Sequence, residues 1–264
     1  YRQLAAQIGA PLRINIELDV GLHRGGVSDR HQLAAMLREI TSAPTLLSFS
    51  GFMGYDAHVG KIPGVLQSAE DSYQQSQQRY SDAIALLRQQ APALLDQTPL
   101  TLNGAGSPTL HWHRQQSVCN DLSAGSCLLK PGDFDVAGLE QFVPAAFIAT
   151  PVLKRLEGTR VPGIENLAGP MAWWDRNLQQ SWFIYGGKWL ARYASPPGLQ
   201  DNALYGSSSN QSMVTGSKQI RLGVDDWVFL RPSQSEAVLL QFGDLLVHRS
   251  GKFVAHWPVL QQSA

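Results

Sequence analysis

The sequence predicts an α/β domain of parallel βα units followed by a mostly antiparallel β domain. From residue 12 to about residue 125, short apolar runs, glycine-bearing polar loops and helical stretches alternate, which is typical of parallel βα units. From residue 143 onward the segments are short, rich in β-forming residues and divided by Gly, Pro, Asn or Ser, and helical periodicity is nearly absent. We therefore predict two domains, residues 1–142 and residues 143–264.

The composition is that of a globular protein without a surface for polyanions. Hydrophobic residues make up 44% of the 264 residues, which is enough for a buried core. The 21 basic and 21 acidic residues balance, so we expect no nucleic-acid partner. No apolar run reaches the roughly 18 residues of a membrane span, so we expect no membrane partner either. The two cysteines are not accompanied by other metal-ligating residues at a suitable spacing. This favours reduced thiols and a cytoplasmic protein.

The first predicted strand leads directly into a glycine-rich loop. Residues 12–19 alternate apolar and polar side chains, which is the period of an extended strand. Glycines follow, so His23 and Arg24 lie on a loop just after the carboxyl end of this strand. Ligands bind at that end in parallel α/β proteins. Arg24 could hold a carboxylate or phosphate there, and an ordinary surface arginine is the alternative.

The second unit repeats this arrangement. A helix capped by Ser28 or Asp29 is predicted to end before Pro44, and residues 45–50 predict a buried strand. The loop after this strand carries Tyr55 and His58. Because imidazole titrates near neutral pH, His58 could transfer protons, and a simple hydrogen-bonded histidine is the alternative.

The third and fourth units complete the parallel part of the chain. A long amphipathic helix is predicted over residues 64–96, and strands are predicted over residues 100–103 and 118–122. The loop between the last two strands contains Gly104, Gly106, Ser107 and Thr109. Its backbone N–H groups and hydroxyls could bind a phosphate, and an ordinary turn is the alternative. The i, i+2 spacing of His111 and His113 argues against a metal pair on a helix.

Four βα units cannot close an eight-stranded barrel. From these residues alone, either the sheet is open or three or four N-terminal units are missing from this chain.

Five stretches in order resemble one known family. They are residues 17–27, 51–58, 104–109, 120–126 and 243–252. The combination resembles the pyridoxal-phosphate (PLP) enzymes of the alanine-racemase fold, in particular the D-threonine aldolase and D-serine dehydratase-like branch. The resemblance implies a partial (β/α)8 TIM-type barrel whose N-terminal strands are absent from this chain, followed by a β domain. It also implies a PLP cofactor and a homodimer.

The resemblance implies roles for residues at the mouth of the barrel. Arg24 and His58 would be catalytic, and Arg24, Tyr55 and His58 would surround the cofactor. The phosphate would be bound by Gly104, Gly106, Ser107 and Thr109. The family's Schiff-base lysine belongs to the first barrel strand, to which nothing in this sequence corresponds, so we expect the 264-residue chain alone to be inactive.

The metal site of the family is altered in this sequence. Family members bind a divalent metal through a His-x-Cys or His-x-Asp pair in the β domain, and Gln234 and Glu236 occupy the corresponding positions. A glutamine is a poor ligand for Zn or Mn, so a metal at Gln234 and Glu236 is kept only as an alternative.

The implied function is that of a PLP-dependent lyase acting on a 3-hydroxy D-amino acid. We favour a D-serine dehydratase or deaminase. The alternatives are a D-threonine aldolase-like activity, an amino-acid racemase, and a non-catalytic protein that binds the cofactor or an amino acid.

Overall fold

The computed structural model describes residues 1–95, 99–114, 116–160, 162–163 and 165–258 of the chain. The chain divides into two compact units. The first comprises residues 1–127 and 136–141, and the second comprises residues 128–135 and the chain from Phe142 onward. Residues 128–135, which the sequence-based boundary assigns to the first domain, are held in the second unit by Arg231. Its guanidinium donates to both carboxylate oxygens of Asp135 at 2.7 and 2.8 Å and to the carbonyl oxygen of Lys130.

The first unit is built on a parallel sheet. Its regular elements are α1 (Arg2–Ile8), β1 (Leu12–Leu18), α2 (Arg30–Ser42), β2 (Leu47–Gly54), α3 (Ala69–Gln90), β3 (Thr101–Gly104) and β4 (Asp121–Leu122). The strands pair in parallel in the order β1–β2–β3–β4. The predicted parallel βα units are thus confirmed.

Two elements of the first unit differ in length from the prediction. Strand β2 continues through the glycines that the sequence places in a loop, because Gly51 pairs with Asn15 on one side and Thr101 on the other. Helix α3 is shorter than predicted and begins after Ser68, whose hydroxyl accepts a hydrogen bond from the N–H of Asp71 at 3.0 Å. The predicted end of this helix, Asp96, lies outside the described residues.

The core of the first unit lies between helices α2 and α3 and the sheet. Both helices turn an apolar side inward, because leucines and aromatic residues recur at helical spacing. The large fully buried side chains here include Phe49, Phe52, Tyr80, Leu37 and Leu87. The Tyr80 hydroxyl donates to the carbonyl oxygens of Phe52 at 2.9 Å and Asn103 at 3.1 Å, so helix α3 is tied to the carboxyl ends of β2 and β3.

The second unit is mostly antiparallel, as predicted. Its regular elements are β5 (Ile148–Glu157), α4 (Ala168–Trp174), β6 (Gln180–Tyr185), β7 (Ala191–Ser195), β8 (Gln200–Asp201), β9 (Gln211–Gly216), β10 (Trp227–Pro232), α5 (Ser235–Leu239), β11 (Leu245–Arg249) and β12 (Lys252–Trp257). Six strands form one sheet in the order β7–β10–β5–β6–β9–β8, and β11 and β12 form a separate hairpin.

Two segments of the second unit depart from the sequence reading. Residues 237–240, predicted to be β-rich, fall largely within helix α5, where a helical turn buries Val238 in the core of this unit. The predicted strand over residues 253–259 is β12, although Val259 lies outside the described residues.

None of the helices in the described part of the chain combines the length and apolar character needed to cross a membrane.

The tight packing of β2 on β3 gives a stability prediction. Gly51 has a φ of +139°, and a Cβ added there would lie 1.9 Å from the carbonyl oxygen of Thr101. We expect Gly51→Ala to lower the free energy of unfolding by roughly 2–5 kcal/mol through backbone strain and overpacking. Gly64→Ala is the control, because nothing lies within 4 Å of its Cβ position. Urea unfolding followed by tryptophan fluorescence measures both, and equal midpoints would contradict the predicted strain.

Candidate functional site

The loops that follow β1 to β3 come together at one edge of the parallel sheet. The guanidinium carbon of Arg24 lies 4.7 Å from the centroid of the Tyr55 ring. The Tyr55 ring in turn packs on Gly106, where an added Cβ would approach its Cε2 atom to 2.4 Å. Residues predicted from three separate loops thus form one continuous surface in the first unit.

The loop that carries Arg24 is fixed by an aspartate at its start. The carboxylate of Asp19 accepts hydrogen bonds from the N–H groups of Gly21 and His23, both at 3.0 Å, and lies 2.7 Å from Nδ1 of His23. Burial raises the pKa of Asp19, but the hydrogen bonds from His23 and Gly21 outweigh it and lower the pKa. Asp19 therefore stays ionised and holds the turn that presents Arg24.

His58 lies beside Gly21, because a Cβ at Gly21 would be 2.7 Å from its Nε2 atom. This Nε2 atom lies 3.3 Å from the hydroxyl of Ser76. The Nδ1 atom is buried and has no hydrogen-bond partner among the described residues. Burial is the largest cause of a lowered pKa of His58; Asp56 opposes it, whereas Arg79 adds to it. The imidazole is consequently neutral near pH 7 and has one nitrogen available.

The loop over residues 104–109 connects β3 to the chain that leads to β4. The hydroxyl oxygen of Ser107 accepts hydrogen bonds from the N–H groups of Gly125 at 3.3 Å and Cys127 at 3.1 Å. Since both lone pairs are used, any further bond of this hydroxyl is one that it donates. Gly104 allows close packing of Cys119, and burial raises the pKa of that thiol to about 11. Cys119 is thus a neutral packing group.

Thr109 is fully buried, and its hydroxyl is used within the protein. It donates to Oδ1 of Asp56 at 2.6 Å and accepts from the N–H of Gly106 at 3.0 Å. Both hydrogen bonds turn inward, away from solvent. Thr109 therefore shapes the loop from inside, and its predicted direct contact with a phosphate stays a prediction.

The sequence reasoning missed Asp56 and His113. The Nε2 atom of His113 lies 2.8 Å from Oδ2 of Asp56, and its Nδ1 atom lies 2.8 Å from the hydroxyl of Ser117. Both side chains of the Asp56–His113 pair are almost fully buried. Asp56 lies inside the 51–58 motif, so its position between Tyr55 and His58 was the available signal. His113 carried none, because its partner is 57 residues away.

The candidate metal residues, Gln234 and Glu236, lie at the start of α5 in the second unit. The side-chain amide of Gln234 donates to Asp133 at 3.3 Å. In the described part of the chain, no group of three or more His, Cys, Asp or Glu residues is arranged to hold a metal ion. An amide that faces a single carboxylate does not fit the ligand preferences of Zn²⁺ or Mn²⁺.

Comparisons with known proteins agree with this fold. Residues 1–131 match the family described as alanine racemase, N-terminal domain. The chain superposes on the D-threonine aldolase from Filomicrobium marinum with a TM-score of 0.71 at 17% identity, covering 97% of this chain and 65% of that one. It superposes on the D-threo-3-hydroxyaspartate dehydratase from Delftia sp. HT23 with a TM-score of 0.68 at 14% identity, covering 99% and 69%. The fold is therefore that of the alanine-racemase class.

Sequence comparison also finds a relative whose name states an enzymatic activity. The chain is 23% identical over 265 residues to the 3-hydroxy-D-aspartate aldolase of Paracoccus denitrificans, covering 97% of this chain and 62% of the relative. The resemblance to the D-threonine aldolase and D-serine dehydratase-like branch of the PLP enzymes is thus confirmed. This chain spans less than two thirds of the length of both aldolases.

The environment of His58 gives a pH prediction. A histidine whose pKa is lower in the folded state than its unfolded value near 6.5 destabilises the folded state as the pH falls through that value. We expect His58→Gln to lose less stability than the wild type between about pH 7 and about pH 5.5. Urea midpoints at several pH values measure this. His31→Gln, which changes an exposed histidine of α2, is the control and should follow the wild type. A His58→Gln profile parallel to that of the wild type would contradict the expectation.

Proposed function

We propose that this chain is part of a PLP-dependent lyase that acts on a 3-hydroxy D-amino acid. The observation that carries the proposal is the continuous surface formed by Arg24, Tyr55 and Gly106 where three strand-end loops meet. Ligands of parallel α/β proteins bind at such an edge. The names of the relatives, two aldolases and a dehydratase of hydroxy D-amino acids, support the same class of reaction.

The residues present fit PLP. A phosphate needs donors, and the hydroxyl of Ser107 has only its proton left to offer. A flat ring needs an aromatic or apolar wall, and Tyr55 provides one beside the same loop. The buried Nδ1 atom of His58 lacks a partner among the described residues, which is expected of an atom reserved for a bound molecule.

Arg24 and His58 take the catalytic roles in this proposal. When bound, PLP withdraws electrons from the bonds at the α-carbon of the substrate. A neutral His58 accepts a proton at a ring nitrogen, because burial keeps it unprotonated near pH 7. The planar guanidinium of Arg24, held over the Tyr55 ring, binds a carboxylate or phosphate and restricts the orientation of the bound molecule.

Among 3-hydroxy D-amino acids we favour D-serine, which would be converted to pyruvate and ammonia. Cleavage to an amino acid and an aldehyde is the second candidate, because two of the relatives are aldolases.

We also infer a homodimer in the cytoplasm, and the free state of Cys119 and Cys127 is compatible with that compartment. Light scattering during size exclusion measures the oligomeric state.

The whole encoded protein, including whatever precedes Tyr1, is the sample that tests the function. We expect it to show visible absorbance from bound PLP and to form pyruvate from D-serine. Aldehyde release from D-threonine or 3-hydroxy-D-aspartate would favour the aldolase, and exchange of the α-hydrogen without another product would favour a racemase. Binding of D-amino acids without any product would support the non-catalytic alternative. A colourless protein would refute the PLP proposal.

The role of His58 is tested separately in the same protein. We expect His58→Gln to lower kcat by about 10²–10⁴-fold, the usual contribution of a general base. The exposed His31 is the matched position, and His31→Gln should keep the wild-type rate. An unchanged kcat in His58→Gln would remove His58 from the mechanism.

A further inference from the structure

A chain of hydrogen bonds runs from the 104–109 loop to Ser117. The Thr109 hydroxyl donates to Oδ1 of Asp56, and Nε2 of His113 lies 2.8 Å from Oδ2 of the same carboxyl group. The Thr109 oxygen is then an acceptor for the N–H of Gly106. On the other side, Ser117 accepts from the N–H of Cys119 at 3.0 Å, and its hydroxyl oxygen lies 2.8 Å from Nδ1 of His113. The side chains of Thr109, Asp56, His113 and Ser117 are thus linked in one continuous series of hydrogen bonds.

The loop needs such support because its backbone is strained. Ala105 has a φ of 67°, in the left-handed region that residues with a Cβ rarely adopt. Ala105 is also buried, with 2% of its surface exposed, so the strained residue is enclosed by the protein. The turn that follows is closed by hydrogen bonds from the N–H groups of Thr109 and Leu110 to the carbonyl oxygen of Gly106. The side-chain hydroxyl of Thr109 also bonds to this turn, because it contacts both the N–H and the carbonyl oxygen of Gly106.

We propose that Asp56 and His113 are positioning residues for a phosphate monoester bound at the 104–109 loop. They act through Thr109, which they orient so that it fixes the N–H of Gly106 and thereby the place of Ser107. Neither Asp56 nor His113 touches the ligand. The inference rests on the proposed function, because it assumes that this loop binds the phosphate of the cofactor.

The test compares two ligands that differ only in the phosphate. Pyridoxine 5′-phosphate and pyridoxine lack an aldehyde, so neither can form a Schiff base with a lysine of the whole encoded protein, which is prepared free of PLP for this test. Isothermal titration of wild type, Thr109→Val and Asp56→Asn gives the ratio of the two affinities. We expect a preference for the phosphate in the wild type that falls at least about tenfold in both variants, equivalent to about 1.4 kcal/mol. Thr109→Ser keeps the hydroxyl and should restore the preference.

A control separates positioning from general loss of stability. Thr150 is a buried threonine of β5 whose hydroxyl donates to the carbonyl oxygen of Tyr185. Thr150→Val should lower the melting temperature without changing the affinity ratio. Hydrogen exchange at the amide of Gly106 gives a second readout, since it should accelerate in Thr109→Val and not in Thr109→Ser.

The outcomes distinguish the two proposals. A wild-type whole protein that prefers the phosphate, with variants that keep this preference and the slow exchange of Gly106, would overturn the positioning role alone. A wild-type whole protein with no preference for the phosphate would refute the cofactor assignment and with it this inference.

Discussion

Parallel pairing of β1 to β4 is the constraint on which the first unit depends. Parallel strands end at the same edge of a sheet, so loops that are far apart in sequence become neighbours there. The pairing is close, because Gly51 brings β2 against the backbone of Thr101 with no room for a side chain. Helix α3 then ties the ends of β2 and β3 together through the buried Tyr80 hydroxyl. The positions of Arg24, Tyr55 and Gly106 follow from this frame.

Much of this frame could be predicted from the sequence. Alternation in β1 and helical spacing in α2 are local patterns, and each depends on which side of one element is buried. The place of Arg24 and His58 also followed, because a loop after a strand of a parallel sheet has a defined location. What the residues alone left open was whether the four units belong to a larger barrel, and the similarity to the alanine-racemase fold supplied that context.

The long-range hydrogen bonds within the site could not be predicted in the same way. Thr109 and Asp56 are 53 residues apart, and nothing in the local sequence of either one selects the other. A hydroxyl in a glycine-rich loop is expected to face a ligand, whereas the Thr109 side chain is fully buried behind the loop. The segment 128–135 and the helix α5 were misassigned for a similar reason, since long-range contacts of Arg231 and Val238 decide their structure.

Two histidines of the first unit, His58 and His113, differ in their hydrogen-bond partners, a difference that the sequence does not reveal. Both ring nitrogens of His113 have partners in the protein, so moving a proton there would break an existing hydrogen bond. His58 has one nitrogen near Ser76, while the other is buried without a partner among the described residues. Because an unsatisfied buried nitrogen is costly, a fold that keeps one gains from it only when a bound molecule supplies the missing partner. His58 therefore has the ring nitrogen without a protein partner that the proposed proton transfer requires, whereas both nitrogens of His113 are bonded within the protein beside the 104–109 loop.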